Sequence, residues 1–158
     1  MSISVYCSGV GISGYVSMTA EDINFKGFDF SAIQRDIAKR QYSKGLFQVI
    51  RDNLQRGETE FDKFDVTIAM KNGTLTVSNL KLINQSANSD LSFEVDVKNW
   101  KITSTMIISL NGIENIPSFT VSLNGSLQKP SLEINIENIV RQYDEHWKKM
   151  EEEAKEKQ

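Results

Sequence analysis

Thiols, imidazoles and prolines are nearly missing from these 158 residues, which contain one cysteine, one histidine and two prolines. A lone Cys7 allows no intramolecular disulfide and no thiolate metal cluster, so neither an oxidising nor a reducing compartment is implied. It reads as a half-buried strand residue, the usual place of a free cysteine. A lone His146 removes His-rich metal sites and leaves any Ser-His or Cys-His pair dependent on a single ring. It falls in a charged, helical tail, where a solvated position is expected. No stretch approaches the ~18 consecutive apolar residues of a membrane-spanning helix. The opening "MSISVYCSGVGISG" lacks a basic n-region, a long apolar core and a cleavage site, so no signal or anchor is expected within this chain. There is no basic excess either. A formal net charge of -3 offers little to nucleic acid phosphates, and no nucleic-acid partner is expected. Glycine-rich "SGVGISG" runs from strand into strand instead of opening a helix, so it is no phosphate loop.

What remains is an ordinary globular composition, 39% hydrophobic and 25% charged, of a length that suits one domain burying roughly 70% of its unfolded surface. Period-two patterning dominates it. In "GISGYVSMTAEDINFKG", Ile12, Val16 and Met18 share one parity and Ser13 and Ser17 the other, with Ile23 and Phe25 resuming the alternation after "TAED" and Tyr15 breaking the polar side. Phe64, Val66, Ile68 and Met70 oppose Asp65, Thr67 and Lys71, and Asn72-Gly73 supplies the positive-φ pair of a type I′ hairpin. Leu75 and Val77 return along the same face. Ser78-Asn79 then shifts the parity to Leu80 and Leu82, which predicts a bulge or corner. Leu91, Phe93, Val95 and Val97 alternate next, and Trp100, Ile102, Met106, Ile108 and Leu110 follow with mostly polar partners. Phe119, Val121 and Leu123, then Leu132, Ile134 and Ile136, complete the strands. Pro117 and Pro130 fall where strands begin.

Helical spacing interrupts this pattern twice. Ser31 with Gln34 fits a capping box, and Ile33, Ile37, Leu46, Val49, Ile50 and Leu54 predict helices over roughly 31–42 and 46–55, with Gly45 capping the first. Ile139, Val140, Tyr143, Trp147 and Met150 mark one face of a terminal helix, and "EEEAKEKQ" reads as a fraying charged end. That face is expected to pack on the sheet, since the acidic tail would be repelled by anionic lipids. The expected fold is therefore mainly β with α (α+β): a curved antiparallel sheet of about 7–9 strands, a helical insertion near 31–55 and a C-terminal helix. Residues 1–136 would form the sheet domain and 137–158 the helix and tail.

Catalytic groups are scarce. Asp62, Asp65, Asp90, Glu94 and Asp96 could pair, but the alternation puts Asp65, Glu94 and Asp96 on the polar face, where a carboxylate stays solvated and ionised. "NQSANSD" at 84–90 reads as a polar loop without calcium-loop spacing. Neither an enzyme nor a cofactor nor a metal site is expected.

The segment "GETEFDKFDVTIAMKNGTLTVSNLKL" resembles the C-terminal region of the AsmA-like family, through Gly57, Thr59, Phe61, Phe64, Asn72, Gly73, Leu75, Leu80 and Leu82. "LSFEVDVKNWKI" is similar to a strand pair of that region. "IPSFTVSLNGSLQKPSL" is similar to its ending, through Pro117, Val121, Gly125, Ser126, Leu127 and Pro130, and "INFKGFDFSAIQRDIA" to the segment introducing its helix. The resemblance covers about residues 12 to 136. Where the family carries a glycine before Val-Asp, this chain has Glu94, a departure that bears on the local bulge geometry and not on the strand.

The resemblance implies a non-enzymatic β-module that supports outer-membrane homeostasis or moves phospholipid along an apolar groove. It implies a periplasmic location in a diderm bacterium, anchored to the inner membrane in a longer chain of which this would be the C-terminal piece or a split relative. Phospholipid acyl chains and the remainder of such a chain, or an envelope protein, are the implied partners.

A one-sided sheet must cover its oily side, because apolar surface facing water costs about 25 cal/mol per Å². Each helix is expected to cover about three or four strands, leaving part of the sheet over. The groove-facing candidates are Phe64, Val66, Ile68, Met70, Leu75, Val77, Leu91, Phe93, Val95, Ile102, Met106 and Ile108. Two further readings stay open: the same residues close into a dry core, or the module pairs by a sheet edge with a larger β-groove or partner protein.

Overall fold

A computed structural model of the chain describes residues 2–8, 13–40, 42–113 and 116–156. Eight strands form one antiparallel sheet in sequence order: β1 (Ser2–Ser8), β2 (Ser13–Lys26), β3 (Glu58–Lys71), β4 (Thr74–Ile83), β5 (Ala87–Asp96), β6 (Lys101–Leu110), β7 (Phe119–Ser126) and β8 (Lys129–Asn135). Helices α1 (Phe30–Ala38) and α2 (Leu46–Asn53) join β2 to β3, and α3 (Glu137–Glu156) follows β8. Among the described residues the meander ends at β1 and β8 without a ladder between them, so the sheet stays open. Among the described residues no helix is long and apolar enough to cross a membrane.

Local chemistry accounts for the elements. Asn72 and Gly73 take φ of 53° and 85°, the turn that the β3–β4 hairpin requires. Between Val77 and Leu80 the register slips against both β3 and β5, so the parity shift at Ser78-Asn79 is a bulge in β4. A second irregularity lies where Asp22, at φ 55°, faces Asp62 without pairing. Both strands change inward parity there, which turns Phe25, Phe61 and Phe64 together, with ring centroids 5.6 and 5.8 Å apart from Phe25.

Helix ends differ from the spacing-based expectation. Asp29 caps α1 through Oδ1, which accepts the Ala32 N–H at 2.7 Å, while the Ser31 hydroxyl pairs with that of Ser86. Asp outcompetes Ser here because it stands two residues earlier, just ahead of the helix, where its carboxylate reaches an amide that has no helical partner, whereas Ser31 already lies within the first turn. Gly45, at φ 76°, precedes α2 instead of ending α1, which stops at Lys39. "NQSANSD" is not a loop throughout: only 84–86 turn, and β5 starts at Ala87 because Asn84 Oδ1 accepts the Ser86 and Ala87 N–H groups and closes the turn early. Trp100 leaves the strand altogether, at φ 50° in the β5–β6 turn. The C-terminal helix continues to Glu156, beyond the start of the expected frayed segment. Readings made for Ile12, and for the side chains of Cys7, Trp147 and Met150, lie outside the described residues.

All three helices are tethered at one end of the sheet, where β2 finishes, β3 starts and β8 finishes. Phe30, Ile33, Ile37, Leu46, Ile50 and Ile139 come down from them onto Phe61, Leu82, Ile108 and Phe119 to make the core. Thr59, buried in β3, accepts the Phe30 N–H at 3.1 Å and donates to the Phe28 carbonyl at 2.8 Å, fastening α1 to the strand.

Candidate functional site

Directly paired residues in a sheet share a face, so the registers sort the apolar side chains into rows across the strands. Nearest the helices runs Phe64–Leu82–Ser89–Ile108–Phe119, all buried. The next row runs Leu80–Leu91–Met106–Val121–Ile134, with Met18 and Val66 on the β2 side; Val66, Leu80 and Val121 are buried and the others half-buried. Then come Val16–Ile68–Val77–Phe93–Ser104–Leu123–Leu132, mostly half-buried. The last row, Gly14–Met70–Leu75–Val95–Ile102–Gly125–Pro130, has no buried member.

Burial therefore falls steadily from the helical end to the hairpin end. Rows on one face repeat about every 7 Å along a strand, so the three rows past the helices extend about 20 Å. They are mostly apolar and increasingly exposed: Val66, Leu80, Val121, Val77 and Ser104 are still buried in the nearer two, and the last has no buried member.

All twelve groove-facing candidates lie on this face. Phe64, Val66, Val77 and Ile108 are sealed in the core, whereas Ile68, Met70, Leu75, Leu91, Phe93, Val95, Ile102 and Met106 are half-exposed. The helices do not divide the face strand by strand, as the expected cover of three or four strands each implied. They divide it by rows, because all their tethers lie at one end. Val16, Met18, Leu123, Leu132 and Ile134 belong to the same rows and were missed as candidates; their own alternation was the signal.

The opposite face is polar. Ser17 and Thr67 share a hydrogen bond at 2.9 Å, and Lys63 Nζ meets Asp65 Oδ2 at 2.8 Å. That hydrogen bond from Lys63, with a second from Thr19, holds the Asp65 carboxyl below its ordinary value, and the same contact raises Lys63. Asp62, Asp90 and Glu94 are exposed on this sheet as well. A lowered pKa keeps a carboxylate ionised, the reverse of what a general acid needs. Among the described residues no three metal-ligating groups cluster. Tyr15 sits exposed on this face, and His146 is exposed on α3.

A separate cleft of about 890 Å³ lies between the end of α1, the connection into β7 and α3, where Ile37, Ile116 and Tyr143 meet Arg40, Arg141 and His146. Its lining mixes charge and oil and does not continue the sheet rows. Compared with known proteins, the chain matches no family model, no curated protein and no solved structure.

Proposed function

We propose that the half-exposed part of these rows holds phospholipid acyl chains, and that the domain is a non-enzymatic, lipid-handling β-module of AsmA-like type, working in the periplasm in support of the outer membrane. The carrying observation is the row gradient: burial falls from a first row with every member buried to a last row, about 20 Å along the strands, with every residue at least partly exposed. One leaflet's hydrocarbon is about 15 Å deep, so the uncovered strip is long enough to lie along acyl chains.

Gentle purification followed by native mass spectrometry and lipid extraction tests the reading. Co-purifying phospholipid is expected, and its amount should drop when Phe93→Glu or Ile102→Glu puts a charge in the strip. Ile107→Glu, on the solvated face, should leave it unchanged. Lipid-free protein from every preparation would remove the reading.

A second reading, pairing by a sheet edge with the rest of a longer groove or an envelope partner, draws support from the open meander, in which, among the described residues, β8 has a ladder only with β7. Proline at position 130, in place of an N–H donor, makes the start of that edge a weak template. Cross-linking through a cysteine placed at the exposed Glu133 tests it.

A further inference from the structure

The uncovered rows end at three hairpin turns that are knitted together. Val97 N–H donates to the Gly73 carbonyl at 2.9 Å and Leu127 N–H to the Trp100 carbonyl at 2.8 Å, so the β3–β4, β5–β6 and β7–β8 turns form one platform. The middle turn is stiffened by Asp96, whose Oδ1 accepts the Lys98 and Asn99 N–H groups, each at 3.0 Å. It projects Trp100, 60% exposed, beside exposed Val97. An indole offers an apolar ring and an N–H donor together, the combination enriched at boundaries that are oily on one side and wet on the other.

Charge is sorted at the same place. Lys71, Lys98, Lys101 and Lys129 all stand on these turns, exposed, against the single carboxylate of Asp96. The ion pairs formed among the described residues are Arg35–Asp36, Arg51–Asp52 and Lys63–Asp65, so none of the four lysines is in one. In a chain of net charge -3, a basic end leaves the remainder more acidic still. Such a dipole orients the molecule toward a negative surface by this end and holds the acidic remainder away.

We propose that the hairpin end docks on the surface of an anionic phospholipid bilayer, with Trp100 at the level of the headgroups, the four lysines on their phosphates, and the last apolar row facing the acyl region. An indole's amphipathic ring suits that boundary, and lysine stems bury their methylenes while the ammonium stays wet. An acidic protein would satisfy the lysines but gives no reason for the oily face to open at the same end, where Lys71, Lys101 and Lys129 stand one residue beyond the last apolar row on the other face. The docking rests on the acyl-binding reading only for its purpose, since it names the membrane from which the strip would load.

Vesicles test it. The full chain carrying Trp147→Phe, which leaves Trp100 as its only indole, is mixed with vesicles of phosphatidylcholine alone or of phosphatidylcholine with phosphatidylglycerol. Binding is expected only to the anionic vesicles, weakening with added salt, with a blue shift of the Trp100 emission and quenching by brominated acyl chains. Each Lys→Gln change on the platform should weaken binding about fivefold. Arginine at all four positions should restore it, and Lys26→Gln and Lys39→Gln, at the helical end, should do nothing. Equal binding to both vesicles, full binding by the quadruple glutamine variant, or an unquenched indole would each overturn the docking. Binding to polyglutamate as tight as to vesicles would overturn it in favour of an acidic protein partner. Lipid co-purifying with a protein that ignores vesicles sinks the docking alone; docking by a protein that never carries lipid sinks the acyl reading alone.

Discussion

The Tyr143 hydroxyl of α3 donates a hydrogen bond to the Ile37 carbonyl of α1 at 2.9 Å. The acceptor lies in the last turn of α1, where carbonyls run out of helical partners. Two helices far apart in sequence are thereby locked side by side over the same end of the sheet. Tyr143→Phe keeps the ring and removes the bond, so urea denaturation should show a loss of about 1 kcal/mol. Burial also holds the Tyr143 hydroxyl above its ordinary value of 10.0, against a smaller opposing pull from Arg40. A raised pKa in the folded state means that the stability is complete below pH 10.0 and declines as pH rises through the folded value. The Tyr143→Phe variant should lose this alkaline step.

Thr59 is buried, and its hydroxyl serves two backbone groups at once. Thr59→Val fills the same space and strands the Phe30 N–H and the Phe28 carbonyl. A loss of about 1–3 kcal/mol is expected. Thr59→Ser, which keeps the hydroxyl, should lose less in the same melts.

Gly57 takes φ of 74°, and a Cβ built there would come within 2.8 Å of the Asp29 Cβ. Gly57→Ala therefore meets a backbone penalty and pushes on the residue that caps α1. The expected cost is about 1–3 kcal/mol by thermal unfolding. Loss of helical dichroism should accompany it if the cap gives way.

Asp96 is held below its ordinary value of 3.8, chiefly by the Asn99 side-chain amide and then by the Asn99 and Lys98 N–H groups. A lowered folded pKa places the stabilisation above pH 3.8 and removes it as pH falls through the folded value. Amide exchange at Lys98 and Asn99 should quicken over that range. Asp96→Ala should make it fast at neutral pH, and Trp100 should lose its fixed environment with it.

Covered and uncovered rows should respond differently to truncation. Phe61→Ala empties a fully buried site among Phe25, Phe28 and Phe30, and should cost about 3–5 kcal/mol. Ile102→Ala lies in the last row, half-exposed, and should cost about 1 kcal/mol. Equal costs at the two positions would mean that the strip is as tightly closed as the core.

Much of the sheet is legible residue by residue. Alternation at Phe64, Val66, Ile68 and Met70, the Asn72-Gly73 pair and the slipped parity after Val77 each state a local backbone requirement, and each is met. The start of α1 is ambiguous in sequence because Ser31 and Asp29 both satisfy the composition rule for a cap, and only the approach of the Ala32 N–H distinguishes them. Ala87 and Ser89 read as loop because small and polar residues resemble one; both are buried in β5, next to Ser86, whose hydroxyl meets that of Ser31 in α1.

Which face each side chain takes was therefore written in the order of the residues, since period-two geometry needs nothing beyond its neighbours. Which of those side chains end up dry was not. The twelve apolar candidates are alike in sequence, yet four are sealed and eight half-open. The difference follows from long-range relations that no local pattern encodes: helices tethered at one end of a long sheet, and each strand's place across it, by which Val77 is sealed while Ile68 and Phe93 of the same row stay half-open.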